Sequence, residues 1–173
     1  MAFVHLHVHT YYSILDGAAP ISSHFQKAQE DNQPALAITD HGNMFGVKEF
    51  LKVAKGFPDI KPIIGCEVYV NPEGRFTKRG KEDQSAHHLI LLAKNLAGYY
   101  NLVKLVSLGY TEGFYYKPKI DKELLEKYHE NLICSSACLG GEIPQKIRRG
   151  DIDGARESIM WYKNLFGEDY YLE

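Results

Sequence analysis

The sequence predicts an α/β fold, a sheet or barrel of parallel strands with helices packed outside it. Three observations predict this. Apolar stretches of strand length alternate with stretches of helical period along all 173 residues. No internal repeat, low-complexity tract or linker breaks the alternation, so one domain is expected over residues 1–173. Hydrophobic content of 45% with 24% charged residues suffices for a core and leaves no compositional signal of disorder.

The elements follow in order. FVHLHVHT reads as the first strand, with His5, His7 and His9 on one face and Val4, Leu6 and Val8 on the other. ISSHFQKAQED carries Ile21, Phe25 and Ala28 at helical spacing. ALAITDH is the second strand, and GVKEFLKVA a helix with Val47, Phe50, Leu51 and Ala54 on its apolar face. KPIIGCEVYV is the third strand, and residues 71 to 86, polar and containing Gly74 and Gly80, form a loop. HLILLAK is the fourth strand, followed by a helix with Tyr99, Leu102, Val103 and Val106 on one side. GFYYKP is an irregular connection, Asp121 caps a short helix, and NLICSSA is the fifth strand. Two helices flank RRGDIDG, and DYYLE begins a sixth strand cut off at Glu173.

Some functions are disfavoured at once. A net charge of −2 argues against a generally basic nucleic-acid binder, though not against a local contact surface. No apolar run approaches the ~18 residues of a membrane span, and no signal pattern opens the chain, so a cytoplasmic protein without membrane contact is expected. Cys66, Cys134 and Cys138 form no disulfide framework, which fits a reducing compartment.

The chemistry lies at strand ends. Cα atoms two apart on a strand are separated by roughly 6.6 Å, close enough for His7 and His9 to lean onto one metal ion. His5, one step further from the C-terminal end, is expected in an outer shell. One lone histidine would read as a hydrogen-bonded core residue, but three on one face would each need a partner. His41 ends the second strand, where an Asp-His turn is the plainer reading; Asp40 points away or orients a neighbour. Glu67 lies in an otherwise apolar strand, costly unless paired or bound to a cation, so it is expected to bridge metals. Cys66 points the other way, as core. One of His87 and His88 faces inward. Cys138 follows the fifth strand at its C-terminal end, whereas Cys134 is core. Asp16 sits in the first loop, where it could equally be a turn residue. Nitrogen, carboxylate and thiolate donors from separate strands suit zinc, manganese or iron in a multinuclear centre. No C-x₂-C spacing, Walker loop or dinucleotide fingerprint is present.

Taken in order, HLHVHT…SILDG, ITDHGN, GCE, HHLILLAKN and SSACLGGEIP resemble the motifs of the polymerase-and-histidinol-phosphatase (PHP) superfamily. LLAKNLAGYYNLVKLVSLGYTEGFYYKPKID is similar to the branch at the N-terminus of bacterial DNA polymerase III alpha subunits rather than to free-standing histidinol phosphatases. The resemblance implies a PHP-type distorted (β/α)7 barrel holding up to three divalent metals. By position, His7, His9 and Glu67 match the ligands of one metal, Glu67, His88 and Cys138 those of a second, and Asp16 and His41 those of a third. A final Asp-and-His strand motif does not occur before Glu173, so a barrel truncated before its last strand is expected, as a fragment of a longer polymerase subunit.

Two functions follow from the resemblance. One is a metal-dependent phosphoesterase module with 3′–5′ exonuclease proofreading, acting on single-stranded 3′ ends or primer–template DNA within a DNA-directed DNA polymerase. The other is a structural or docking module supporting the polymerase, a separate proofreading exonuclease and further replicase subunits such as the sliding clamp, with metal only stabilising the fold. A small-molecule phosphoesterase is disfavoured by GFYYKPKID.

Overall fold

A computed structural model describes residues 3–78 and 86–173. The fold is mixed α/β. Its elements are α1 (Ile21–Glu30), β1 (Ala35–Ile38), α2 (Val47–Ala54), β2 (Lys61–Val70), β3 (His87–Ala93), α3 (Leu96–Thr111), β4 (Phe114–Tyr115), β5 (Lys117–Ile120), α4 (Lys122–Tyr128), β6 (Leu132–Ser135), α5 (Glu142–Arg148), α6 (Ile152–Phe166) and β7 (Tyr170–Tyr171). The strands run in the order β4-β5-β2-β3-β6-β7, with β1 also on β2.

Ten-residue β2 organises the sheet. β1 pairs with its first half and β5 with its last two residues, both parallel, while β3 runs antiparallel along Gly65 to Val70. β3 also runs antiparallel to β6, which is parallel to β7. The all-parallel expectation is therefore corrected at β3. A parallel return needs a crossover, usually a helix, and residues 71–78 after β2 hold none. The rest of the expected loop, 79–85 with Gly80, lies outside the described residues.

Strand parity sorts the two faces. Cys66, Val68 and Val70 of β2, Leu89 and Leu91 of β3, and Leu132 and Cys134 of β6 share a core with α3, α4 and α6. A second core joins α1, α2 and β1 through Ile21, Phe25, Leu36, Ile38 and Phe50. The opposite parity puts Glu67, Tyr69 and His88 on the inner face of the sheet.

Other expectations change as well. Residues 3–10 form no strand. Ala37 donates to the His5 carbonyl and Thr39 to the Val8 carbonyl, so three residues of the segment span two of β1. The extra residue is taken up at a bend at His7. The Val8 N–H then bonds the Thr39 hydroxyl and the His5 N–H the Gln33 side chain, in place of strand carbonyls. Leu6, expected on an apolar face, is exposed, as is Leu51 of α2. The buried face of α3 is Gly98, Leu102, Leu105 and Gly109; helix period alone favoured Val103, which is exposed. The GFYYKP connection is a hairpin of β4 and β5, turned at Tyr116 with φ of 60°.

One buried carboxylate secures the α5 region. Glu142 lies 3.0 Å from Lys146 Nζ and 3.5 Å from Lys122 Nζ, and accepts from Ser158 Oγ at 2.6 Å and Tyr162 OH at 3.2 Å. Burial alone would raise its pKa, but the Ser158 hydroxyl and the two ammonium groups hold it below the usual range. A depressed carboxylate stabilises the fold above its unfolded pKa, and that contribution fades as pH falls through the folded value. Glu142→Ala is expected to cost about 2–3 kcal/mol in urea unfolding at pH 7, because two lysines and two hydroxyls lose a shared partner. The gap between wild type and Glu142→Gln is expected to narrow below roughly pH 4, the ordinary carboxylate range.

Candidate metal centre

The centre is built around Glu67. Its backbone is pinned by the segment after β1: the Glu67 N–H donates to the Asp40 carbonyl at 3.1 Å, and Gly42 N–H donates to the Glu67 carbonyl at 2.8 Å. Gly42 has φ of 61°, and a side chain there would meet Pro118 Cγ and the Tyr69 ring at 2.9 Å. Only glycine fits that turn. Its tightness brings His41 directly opposite Glu67.

Four imidazoles meet the fully buried Glu67 carboxylate. Oε1 lies 3.3 Å from His7 Nε2 and 2.7 Å from His88 Nδ1. Oε2 lies 3.7 Å from His9 Nε2 and abuts His41 Nδ1. Asp16 Oδ2 approaches His41 Nε2 at 2.7 Å from the first loop. Cys138 Sγ stands 3.8 Å from Glu67 Oε1 and 3.6 Å from His88 Nδ1. All seven residues singled out as ligands by the sequence thus lie together. Among the described residues, three subsets have donor atoms within 4.8 Å of one another: His7, His9 and Glu67; His9, Asp16 and His41; His41, Glu67 and His88. His9 reaches toward two of them.

His5 does not join this set. It is exposed, and its ring meets Phe3 edge-on at 4.7 Å. The bend at His7 breaks the alternation that would have aimed it inward. Cys66 and Cys134 are fully buried in the helix-facing core. Of the two adjacent histidines, His88 faces Glu67; its neighbour His87 is half-buried rather than solvated.

Two contributors, Glu173 and Tyr69, had no role in the sequence reading, and a third, Asp40, was read only as pointing away or orienting a neighbour. Glu173 Oε1 lies 2.7 Å from His7 Nδ1, while Oε2 accepts from Ser135 Oγ at 2.7 Å. It fixes the His7 ring with Nε2 toward Glu67. Tyr69 lies parallel to His41 and edge-on to His88, with centroids 6.3 and 5.2 Å away; its parity with Glu67 was the available signal. Asp40, buried, accepts from Thr10 N, Thr10 Oγ1 and Ser13 Oγ at 2.6 to 3.1 Å, and Ser13 Oγ accepts from His41 N. It ties the first loop to the end of β1.

The electrostatics set one buried carboxylate against the imidazoles around it. Burial would raise the Glu67 pKa, but the contacts from His41, His7 and His88 hold it far below the usual range. Burial pulls His7 down, yet Glu67 and Glu173 outweigh it and lift His7 to about 8. His41 is raised by Glu67 and Asp16, while burial and neighbouring His41 lower His9. His9 Nδ1 is buried without a hydrogen-bond partner among the described residues, a nitrogen lone pair or proton left unserved. Imidazole, carboxylate and thiol donors with such an orphan among them fit a multinuclear site for zinc, manganese or iron.

Residues 5–173 match the family described as the PHP domain. The chain belongs to the PHP family. Among curated proteins it is 53% identical over 172 residues to the DNA polymerase III subunit alpha of Borreliella burgdorferi, covering 99% of this chain and 15% of that protein. It is 49% identical to that of Chlamydia muridarum, covering all of this chain and 14% of the relative. The PHP chain thus spans about a seventh of the length of these relatives. A solved amidohydrolase from Chromobacterium violaceum, with bound sulfate and no metal, is 25% identical with a TM-score of 0.43 over 60% of this chain and 32% of its own.

Among the three cysteines only Cys138 approaches Glu67 from the inner side. Cys138→Ser is expected to lower the metal content of the purified protein, whereas Cys66→Ser and Cys134→Ser lower stability at constant stoichiometry. Elemental analysis of the three variants is the measurement, and unchanged content in Cys138→Ser would remove the thiol from the site.

Proposed function

We propose that this chain is the PHP module at the N-terminus of a bacterial DNA polymerase III alpha subunit, and that its centre hydrolyses phosphodiesters as a 3′–5′ exonuclease beside the polymerase. The observation that carries the reading is the buried Glu67 carboxylate met by four imidazoles, with a thiol beside it. His7, His9 and Glu67 would hold one divalent ion, Glu67, His88 and Cys138 a second, and Asp16 and His41 a third. When bound, such ions supply charge neutralisation for a phosphoryl group and an acidified water. The chain's own residues do the positioning. Glu67 joins the sites, Glu173 fixes the His7 ring, Asp40 anchors the loop that presents Asp16, and Tyr69 walls the centre. DNA 3′ ends or primer–template would be the substrate, in the cytoplasm, with the sliding clamp and other replicase subunits as partners through the full-length protein.

A second reading, a module that docks a separate proofreading exonuclease and supports the polymerase, is favoured by a different feature. A cleft of about 1160 Å³ opens between the 3–7 segment, β2, the start of α3 and β7, lined by Phe3, Leu6, Leu96 and Leu172 among others. Apolar surface on that scale suits contact with another part of a larger assembly.

Metal-dependent hydrolysis separates the two. Manganese-loaded protein is expected to cleave bis(p-nitrophenyl) phosphate and single-stranded 3′ ends, with Glu67→Gln reducing both on the order of 100-fold or more. Bound metal without hydrolysis in wild type would favour docking. Template-dependent nucleotide incorporation by this chain is expected to be absent, because its inner carboxylates are committed to a histidine-rich centre.

A further inference from the structure

The hairpin of β4 and β5 stands against the metal centre, and together with Phe45 before α2 and Tyr110 of α3 it carries rings that no core uses. Phe45, Phe114 and Tyr116 are 64%, 51% and 69% exposed. Tyr110 links two of them, with its centroid 6.0 Å from Phe45 and 5.9 Å from Phe114, the latter stacked. Phe25 and Phe50, by contrast, are fully buried in a core. A row of exposed π faces has no packing role within the described residues.

Lys117, on the same hairpin, reaches the centre. Its Nζ lies 4.4 Å above the Tyr69 ring, and Tyr69 meets both His41 and His88. Among the described residues no carboxylate pairs with Lys117. Glu112, Asp121 and Glu123, which adjoin the hairpin, turn instead onto Arg75 at 2.7 to 3.2 Å. An ammonium without a carboxylate partner at the lip of a metal centre, on a hairpin that also bears exposed rings, has the chemistry to meet a nucleic-acid strand: a phosphate for the cation and bases for the rings.

We propose that this row is a stacking platform for a single-stranded DNA 3′ segment, with Lys117 receiving a backbone phosphate beside the metal centre. It rests on the phosphodiesterase reading and names where the strand lies. Duplex DNA does not fit, because its bases already stack on one another. A protein interface would use the rings without needing the unpaired ammonium.

The platform is testable without catalysis, in chelator, by fluorescence anisotropy of a labelled ten-nucleotide strand and of the same sequence as duplex. Wild type is expected to prefer the single strand. Phe45→Ala and Phe114→Ala should each weaken binding about fivefold or more, since one stacked base is lost. Lys117→Ala should weaken it and reduce the slope of log affinity against log salt by about one. A 2-aminopurine near the 3′ end should be quenched by wild type and less so by Phe114→Ala. Thermal melts of these surface variants should match wild type. Equal single-strand affinity in wild type and ring variants, or equal binding of duplex, overturns the proposal. A wild-type dimer dispersed by the ring substitutions, with no DNA binding, overturns it too and makes the row a protein interface. Hydrolysis of bis(p-nitrophenyl) phosphate by wild type reads the metal centre separately, so failure there with DNA binding intact would sink the phosphodiesterase reading instead.

Discussion

A carboxylate with no exposure to water, in the middle of a ten-residue strand, is the constraint on which this structure turns. Glu67 cannot be ionised there without compensation, since desolvating a bare carboxylate costs several kcal/mol even after relaxation. Everything around it supplies that compensation. The bulged 3–10 segment brings His7 and His9, the Gly42 turn brings His41, and β3 brings His88 in the antiparallel register that sets Tyr69 opposite it. Moving β3 by one residue would turn His88 to the helix-facing core and leave Oε1 without its 2.7 Å partner.

The same constraint explains why the site-bearing segments depart from regular structure. A strand through residues 3–10 would spend its amides on β1. The observed segment instead takes side-chain acceptors, Gln33 and Thr39, and gains a bend that turns His7 and His9 onto one carboxylate. The Asp40 carboxylate replaces the missing ladder on the following loop, gathering Thr10 and Ser13. Irregular backbone is tolerated here because the His5, Val8 and Thr10 N–H groups each find a side-chain acceptor.

Much of this was readable from residue order, and the failures have physical causes. Lengths and positions of β2, α1 and α2 follow from period, the start of α4 follows from the Asp121 cap, and the parity of Cys66 and Glu67 on β2 follows from the two-residue repeat. Direction was missed at β3 because alternation of apolar stretches says nothing about whether a helix crosses between them. The β4–β5 hairpin was hidden by strands of two and four residues, too short for a period. His5 was misplaced because a single-residue bulge reverses parity without leaving a mark in composition. Glu173 was missed because it acts across 166 positions, on His7, a contact that no local pattern encodes.

The fold supplies its own controls for the meaning of the Glu67 cluster. Three other buried carboxylates are present among the described residues. Asp121 is met by the Arg75 guanidinium and caps α4. Glu142 is met by two lysines, a serine and a tyrosine. Asp40 is met by one backbone N–H and two hydroxyls. Each is satisfied by groups that are permanently charged or neutral donors at pH 7, the economical way to bury an acid. Glu67 alone is surrounded by imidazoles and a thiol, which near neutrality are weak or variable counter-charges and strong metal ligands. Lysines or arginines would stabilise a purely structural carboxylate better. Four histidines at that position, with a second acid on His41 and a buried His9 nitrogen left open, suit a carboxylate whose missing charge a bound cation would supply.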